Sequence, residues 1–170
     1  MVIDCGTFVL RPFHAADRDA LVQIADDPSV AANLRDRFPH PYTPADADAW
    51  LAHVDSEQPT RHFAIARDHT LLGSIGLEVQ SDVNRLCAEV GYYVGRQHRG
   101  QGIATAATVA ATDYAFATLG MQRVFAIVFE SNPGSARVLE RAGFVLEGRL
   151  RRAILKAGRV MDALLYARVQ

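Results

Sequence analysis

The sequence predicts an α+β domain with a mixed, mostly antiparallel central sheet. Three apolar, strand-like runs follow one another at Arg61–Arg67, Thr70–Val79 and Arg85–Gly95, and only short segments separate them. Short connections join antiparallel neighbours, so these runs predict a meander. Strands and helices then alternate, which introduces one locally parallel step. Because 170 residues fit the usual size of one domain, we expect a single domain over residues 1–170.

The chain before the meander begins with a strand and a helix. Thr7–Phe13 is predicted to be a strand that ends at Pro12. Ala15–Asp26 has the apolar spacing of an amphipathic helix. The next stretch, Asp27–Pro44, contains four prolines. We therefore expect it to be mostly loop, with one short helical turn around Ala31–Arg35.

A second helix is predicted from its N-terminal sequence. Thr43 is a suitable N-cap, Pro44 occupies the first helical position, and Asp46 stands three residues after the cap. This pattern predicts a helix that begins at Pro44 and ends at about Asp55.

The second half of the chain alternates between helical and extended segments. In chain order, these are a helix at Gly100–Leu119, a strand at Arg123–Phe129, a helix at Ser135–Ala142 and two strands at Phe144–Ile154 and Val160–Val169. Gly120 follows the first of these helices as a C-terminal stop, and Asn132 precedes the second as its N-cap.

Composition, charge and cysteine content favour an intracellular protein. Lys and Arg total 18 against 19 Asp and Glu, so nothing favours nucleic acid or an anionic membrane as a partner. The longest uncharged run, Gly100–Thr112, is too short to span a bilayer. The N-terminus lacks the pattern of a signal peptide, and Cys5 and Cys87 are far apart, as in reduced cytosolic proteins. We expect a cytoplasmic protein.

The segment Arg99–Ala104 lies between a predicted strand and a predicted helix. Gly100 and Gly102 remove side chains there, so a pyrophosphate could rest on the backbone amides at the start of the helix. A dinucleotide fingerprint would need a third glycine at Thr105, and no P-loop sequence follows. The alternative is a glycine-rich turn that only packs the helix against the sheet.

Arg99-x-x-Gly102-x-Ala104 resembles the Arg/Gln-x-x-Gly-x-Gly/Ala signature of the GNAT superfamily of N-acetyltransferases. Further segments resemble the RimJ/RimL-type branch of that superfamily, which modifies the N-termini of ribosomal proteins. These segments are Phe38–Tyr42, Ala88–Val94, Glu130–Phe144 and Met161–Tyr166. The resemblance covers essentially the whole chain and implies a GNAT fold, with a sheet splayed at the cofactor site and helices on both faces.

The resemblance also implies acetyl-CoA as cosubstrate and assigns its contacts. The pantetheine arm would lie between the strand that ends near Val94 and the strand Arg123–Phe129. Backbone groups of Tyr93 and Val94 would pair with its amides, and Asn132 would contact the same chain. The pyrophosphate would be held by the signature segment, namely Arg99, Gly100, Gln101, Gly102, Ile103 and Ala104.

Direct transfer from a thioester to an amine requires a neutral amine and a proton for the departing thiolate. We assign Glu89 as the base, acting through water, because the family often places an acid on this strand; the alternative is an ordinary surface charge. Ser135 matches the serine that protonates the thiolate in RimL-like proteins, although it could instead serve the helix cap. The tyrosine that many members use for this task is missing after Ser135. A strand thiol such as Cys87 is more typical of packing than of a covalent acetyl carrier.

Other polar and aromatic groups leave their roles open. The six histidines show no pair at metal-ligand spacing, so we expect no metal. The basic stretch from Arg149 to Arg159 either forms the solvated face of a hairpin or attracts an acidic partner. Phe38, Tyr42 and Trp50 either line an acceptor pocket or pack beneath the loop.

The expected acceptor is the α-amine of a protein or peptide N-terminus, by resemblance to the branch. A polyamine or an antibiotic amine is the alternative within the enzyme interpretation. A noncatalytic acyl-CoA sensor would keep the same loop without turnover, whereas a Rossmann-type domain conflicts with the meander. No nucleic acid or membrane is expected as a direct partner, and a homodimer is common in this branch.

Overall fold

The computed structural model describes residues 1–170 and confirms the predicted α+β class. Its strands are β1 (Ile3–Asp4), β2 (Val9–Arg11), β3 (His62–Arg67), β4 (Thr70–Val79), β5 (Cys87–Val94), β6 (Arg123–Phe129), β7 (Val145–Lys156) and β8 (Arg159–Val169). Its α-helices are α1 (Arg18–Ala25), α2 (Pro28–Ala31), α3 (Pro44–Asp55), α4 (Ile103–Ala117) and α5 (Pro133–Arg141).

The eight strands form a mixed sheet in the order β1-β2-β3-β4-β5-β6-β8-β7. β5 and β6 are parallel, whereas β2 with β3, β3 with β4, and β6 with β8 are antiparallel. This arrangement confirms the predicted single parallel step. The last strand, β8, lies between β6 and β7 and pairs with both.

The chain divides into two compact units. The first contains residues 1–76 and 92–107, and the second contains residues 77–91 and 108–170. The expectation of a single domain over residues 1–170 stays a prediction.

The first unit has a core of buried side chains from its helices and strands. This cluster consists of Phe13, Leu21, Ile24, Ala25, Tyr42, Ala47, Val54, Ala64 and Leu71. α3 begins as predicted, because the Thr43 hydroxyl accepts from the Asp46 N–H at 3.3 Å and the Asp46 carboxylate accepts from the Thr43 N–H at 2.8 Å. Pro44 is at the first helical position of this helix.

The short helical turn in the proline-rich stretch begins earlier than predicted. α2 spans Pro28–Ala31 instead of Ala31–Arg35. Its N-cap is Asp27, whose carboxylate accepts from the Ser29 N–H at 2.7 Å. The cause is the Asp-Pro pair, in which a capping side chain precedes a proline at the first helical position.

The second unit is built on β6, β8 and β7. β6 pairs with β8 along its whole length, from Arg123 opposite Val169 to Phe129 opposite Ala163. α5 is capped by Asn132, whose side chain accepts from the Ser135 N–H at 3.1 Å, and it buries Leu139 completely.

Two boundaries differ from the prediction for local reasons. The long helix begins at Ile103 and not at Gly100, because Gly100 and Gly102 both have φ of +77°, outside the right-handed helical region. The first predicted helix opens as a 3-10 turn at Ala15–Asp17 and becomes α-helical from Arg18.

None of the five helices combines the length and the apolar character that crossing a bilayer requires.

Candidate active site

The loop after β5 is shaped by two glycines. A 3-10 turn at Arg96–His98 follows β5, and α4 begins after Gly102. Gly100 and Gly102 lie in the left-handed region, where a side chain is strained, and a Cβ on either would meet no atom within 4 Å. The first hydrogen bond of α4 runs from the Ala106 N–H to the Gly102 carbonyl at 3.1 Å. The space beside the N-terminal end of α4 is therefore open.

Arg99 fastens this loop to the rest of the first unit. Its Nε donates to the Val94 carbonyl at 3.0 Å, and its Nη1 donates to the Ser29 hydroxyl at 2.8 Å. Its Nη2 lies 3.8 Å from the Asp27 carboxylate. Hydrogen bonds from Ser29, with a smaller contribution from the Arg99 charge, hold the pKa of Asp27 below its usual value. The guanidinium thus has partners inside the protein, and its part in cofactor binding stays a prediction.

The end of β5 is held close to β4 by a glycine. A Cβ on Gly73 would lie 2.3 Å from the Tyr93 carbonyl oxygen and 3.0 Å from Cα of Val94, so no larger residue fits there without movement. One residue further on, the Gly95 N–H donates to the Leu72 carbonyl at 2.8 Å. These contacts fix the backbone of Tyr93 and Val94, the predicted pantetheine partners.

Tyr93 packs against the core cluster of the first unit, next to the Phe38 ring. The Phe38 ring meets it edge-on at 5.7 Å and stacks on Tyr42 at 5.3 Å. Burial, with a contribution from Tyr42, raises the pKa of the Tyr93 phenol well above its usual value, although a hydrogen bond with Ser74 opposes this. Burial, with a smaller contribution from Asp46, raises the pKa of Tyr42 to about 12. Both phenols are therefore neutral at physiological pH.

The packing of Phe38, Tyr42 and Trp50 distinguishes between their two predicted roles. Tyr42 is only 6% exposed and belongs to the core cluster, while Phe38 and Trp50 pack against that cluster. The structure therefore favours packing beneath the loop over an exposed acceptor pocket for these residues.

Glu89 lies on β5 in the second unit and is half-buried. The parallel pairing of β5 with β6 covers only Cys87–Glu89 opposite Arg123–Phe125. Both strands continue beyond the paired residues, β5 to Val94 and β6 to Phe129. Glu89 is therefore the last residue of β5 in this pairing.

Asn132 and Ser135 lie at the start of α5, which follows β6. The Asn132 side-chain oxygen supplies the cap by accepting from the Ser135 N–H at 3.1 Å. Because the cap uses the backbone of Ser135, it does not require the Ser135 hydroxyl. The catalytic roles of Glu89 and Ser135 and the pantetheine contact of Asn132 stay predictions.

The basic stretch on β7 is partly neutralised within the second unit. Arg149 donates to the Asp162 carboxylate at 2.5 Å and to the Glu130 carboxylate at 2.6 Å. A backbone hydrogen bond from Arg152, followed by the one from Arg149, lowers the pKa of Asp162. This network favours the solvated hairpin face over an open binding patch.

The structure brings together a cluster of three side chains that the sequence spacing reveals only in part. The rings of His53 and His62 lie 6.1 Å apart, and Glu57 stands between them. His53 and Glu57 are four residues apart on a helical spacing, a signal that was visible in the sequence. His62 comes from the following strand, so only the fold adds it to the pair.

Comparisons with known proteins agree with this architecture. Residues 7–145 match the Acetyltransferase (GNAT) domain family. The chain is 33% identical over 137 residues to the ribosomal-protein-serine acetyltransferase of Escherichia coli (strain K12), covering 71% of this chain and 75% of that protein. It is 27% identical over 157 residues to the spermidine N(1)-acetyltransferase of the same strain, covering 91% of this chain and 82% of that protein. The solved structure of Mycobacterium smegmatis RimJ in complex with CoA-disulfide superposes with a TM-score of 0.83 and 25% identity, over 99% of this chain and 85% of that one.

Proposed function

Because this chain belongs to the GNAT superfamily, in its RimJ/RimL-like branch, and is an acetyl-CoA-dependent acyltransferase, we propose that it acetylates the α-amine of a protein or peptide N-terminus. We propose that residues 1–170 act as a single catalytic domain. Transfer is direct, within a ternary complex of enzyme, acetyl-CoA and amine.

The loop between β5 and α4 carries this proposal. Its two left-handed glycines leave open space at the N-terminal end of a 15-residue helix, where the macrodipole favours an anion. A pyrophosphate would there accept hydrogen bonds from the amides of Gly100–Ala104. Tyr93 and Val94, which are fixed by Gly73, would offer backbone groups to the pantetheine amides.

The chemical roles follow from the needs of the transfer. The amine must be neutral, and Glu89 is assigned to accept its proton through a water molecule. The amine nitrogen then attacks the thioester carbon and the C–S bond breaks. The thiolate takes a proton from the Ser135 hydroxyl, and Ser135 regains a proton from the new amide nitrogen, which must lose its second proton to become neutral. Asn132, whose oxygen caps α5, would turn its amide nitrogen towards the pantetheine chain.

An N-terminal α-amine suits this chemistry better than a lysine. Its reference pKa is about 7.7–8.0, against about 10.4 for a lysine side chain, so far more of it is neutral at physiological pH. The similarity to a protein acetyltransferase is also higher in identity than that to the spermidine enzyme, 33% against 27%.

A polyamine is the second candidate acceptor. The spermidine acetyltransferase relative aligns with 91% of this chain, more than the 71% aligned with the ribosomal-protein relative. Because of this longer alignment, any acceptor assay should include a polyamine beside the peptides.

The test measures thiol release from acetyl-CoA with a panel of acceptors: peptides with a free N-terminus, N-blocked lysine peptides, spermidine and an aminoglycoside. We expect the highest kcat/KM with a free-N-terminus peptide. A preference for spermidine would transfer the assignment to the polyamine. Tight acetyl-CoA binding without turnover on any acceptor would support the noncatalytic sensor.

Replacing the assigned base separates catalysis from binding. We expect Glu89→Gln to lower kcat by about 10²–10⁴-fold, since a general base contributes that much, and to leave the Kd for acetyl-CoA unchanged. Glu147→Gln is the matched control, because Glu147 lies on β7 in an exposed ion pair with Arg123, and such pairs contribute little. Equal activity of the two variants in the thiol-release assay would remove the base role from Glu89.

A further inference from the structure

A compact group of nitrogen and oxygen ligands lies in the first unit, and none of its members is assigned a role in acetyl transfer. His53 is on the last turn of α3, Glu57 follows the end of that helix, and His62 is the first residue of β3. Each residue offers one ligand atom, and these atoms lie within 4.8 Å of one another. The chain thus places two imidazoles and one carboxylate around one point.

Glu57 is held so that only one of its oxygens faces the imidazoles. The residue is 5% exposed, and its Oε2 accepts from the backbone N–H groups of Arg61 and His62 at 3.2 and 3.1 Å. Its Oε1 lies 2.7 Å from Nδ1 of His62 and 3.8 Å from Nε2 of His53. The backbone therefore orients the carboxylate, as the supporting hydrogen bonds of a metal ligand do.

The two imidazoles differ in burial. The His62 ring is buried, meets Trp50 edge-on at 5.0 Å and lies so close to Gly76 that a Cβ there would be 2.1 Å from Cδ2. Its packing therefore fixes the direction of Nδ1. The His53 side chain is 59% exposed and leaves an access route from solvent.

We propose that Nε2 of His53, Oε1 of Glu57 and Nδ1 of His62 bind a Zn²⁺ ion. Two imidazoles and one carboxylate form a common three-ligand set for zinc, with water in the fourth position, and the absence of a thiol disfavours the softer metals. The ion would replace the hydrogen bond between Glu57 and His62. It would tie the end of α3 to the start of β3, a structural role independent of acetyl transfer.

Arg61 is the competing charge at this position. Its Nη2 lies 3.5 Å from Oε1 of Glu57, and its side chain is 38% exposed. A bound cation would displace this guanidinium towards solvent. Removing the guanidinium should therefore tighten metal binding at this cluster.

The test titrates the full chain, freed of metal by a chelator, with Co²⁺ as a spectroscopic probe and Zn²⁺ as competitor. We expect one Co²⁺ per chain, with visible absorption bands that Zn²⁺ abolishes. His53→Ala should lower the affinity by about tenfold or more, because ligand-shell losses have effects of that size. The control is His69→Ala, in the exposed turn between β3 and β4, and it should bind as the parent does.

Thermal unfolding and a third variant test the same site independently. Zn²⁺ should raise the Tm of the parent protein and not that of His53→Ala, which alters an exposed side chain and is expected to fold. Arg61→Gln should bind Co²⁺ more tightly than the parent. Absence of stoichiometric binding, or the same affinity in His53→Ala and His69→Ala, would overturn the site.

Discussion

Glycines support the structure in two different ways. Gly100 and Gly102 are needed for their backbone conformation, with φ of +77° and open space where a side chain would be. Gly73 and Gly76 have ordinary φ values and are needed because a neighbouring atom lies too close, the Tyr93 carbonyl in one case and the His62 ring in the other. Replacing the first kind adds a group beside the proposed pyrophosphate, whereas replacing the second kind displaces the backbone of β5 at Gly73 or the His62 ring at Gly76.

At Gly102 a charged side chain should abolish cofactor binding. Gly102→Glu places a carboxylate in the open space at the start of α4, where the phosphates are proposed to bind. We expect the affinity for acetyl-CoA in isothermal calorimetry to fall by about 100-fold or more, since several charge-assisted hydrogen bonds of about 1.5–3 kcal/mol each would be lost. The matched control is Gly158→Glu in the β7–β8 turn, where φ is +75° and no atom lies within 4 Å. Equal affinity in both variants would remove the loop from the cofactor site.

At the scale of elements, the close approach of β4 to the end of β5 positions the proposed pantetheine contacts. Gly73→Ala would force a Cβ to within 2.3 Å of the Tyr93 carbonyl oxygen, so the backbone must shift. We expect a loss of about 1–3 kcal/mol in the free energy of unfolding, as for other overpacked sites, together with weaker acetyl-CoA binding. Denaturant unfolding and calorimetry would measure the two effects. Gly148→Ala on β7, where no atom lies within 4 Å, should change neither, and unaltered binding in Gly73→Ala would contradict this account.

The junction between β2 and α1 depends on a buried ion pair. Both guanidinium nitrogens of Arg11 donate to Asp17 at 2.7 Å, and the His14 N–H donates to the same carboxylate at 2.8 Å. Burial by itself would raise the pKa of Asp17, but the hydrogen bonds from Arg11 and His14 outweigh it and lower that pKa. The stabilisation is therefore complete above the unfolded-state pKa of about 3.9 and is lost as the pH falls through the lower folded-state pKa.

Asp17→Asn should therefore destabilise the protein in a pH-dependent manner. At pH 7 we expect a loss of about 3 kcal/mol, because the variant leaves a buried guanidinium without its charge partner. The difference from the parent should shrink as the pH falls below about 4 and disappear below the lower folded-state pKa, where the carboxylate of the folded parent is also neutral. Urea unfolding at several pH values would measure it. Asp19→Asn, with a side chain 86% exposed, is the control and should cost little at any pH.

Elements with local signals were predictable from the sequence. The Thr43-Pro44-Asp46 pattern gave the start of α3, and the apolar run Thr70–Val79 has the same bounds as β4. The Asp27-Pro28 pair carries the same type of signal and sets the start of α2, three residues before the predicted turn. The position of β8 between β6 and β7 could not be deduced, because it depends on tertiary pairing and not on local pattern.

In the candidate site, too, local features were predictable and contacts between distant segments were not. The glycine loop and the Asn132 cap are encoded within a few residues, and both were predicted. The partners of Arg99 were not, because Ser29 lies 70 positions away in the sequence. His62 likewise joins His53 and Glu57 only when β3 folds next to the end of α3. Contacts between distant segments are therefore the part of the site that can be identified only from the structure.

At the scale of the whole molecule, the charges are nearly balanced and many are paired locally. The net charge is −1, and Arg18 and Arg123 are bound to Asp48 and Glu147 respectively. A strongly anionic ligand such as acetyl-CoA therefore gains little from the net charge of the protein. We expect its affinity to depend on the few amides and dipoles at the loop. The gain in stability of the whole protein when acetyl-CoA is added therefore reports binding at that loop.

Ligand binding should accordingly raise the stability of the whole protein. At a free acetyl-CoA concentration of about 100 times Kd, the native state gains about 2.7 kcal/mol. For a chain of this size, that gain corresponds to an increase in Tm of about 5–11 °C in a thermal-unfolding scan. Gly102→Glu should show no increase, whereas Gly158→Glu should respond as the parent does. NAD should leave the Tm unchanged, because the loop lacks the third glycine at Thr105; a larger increase with NAD than with acetyl-CoA would instead indicate a dinucleotide site.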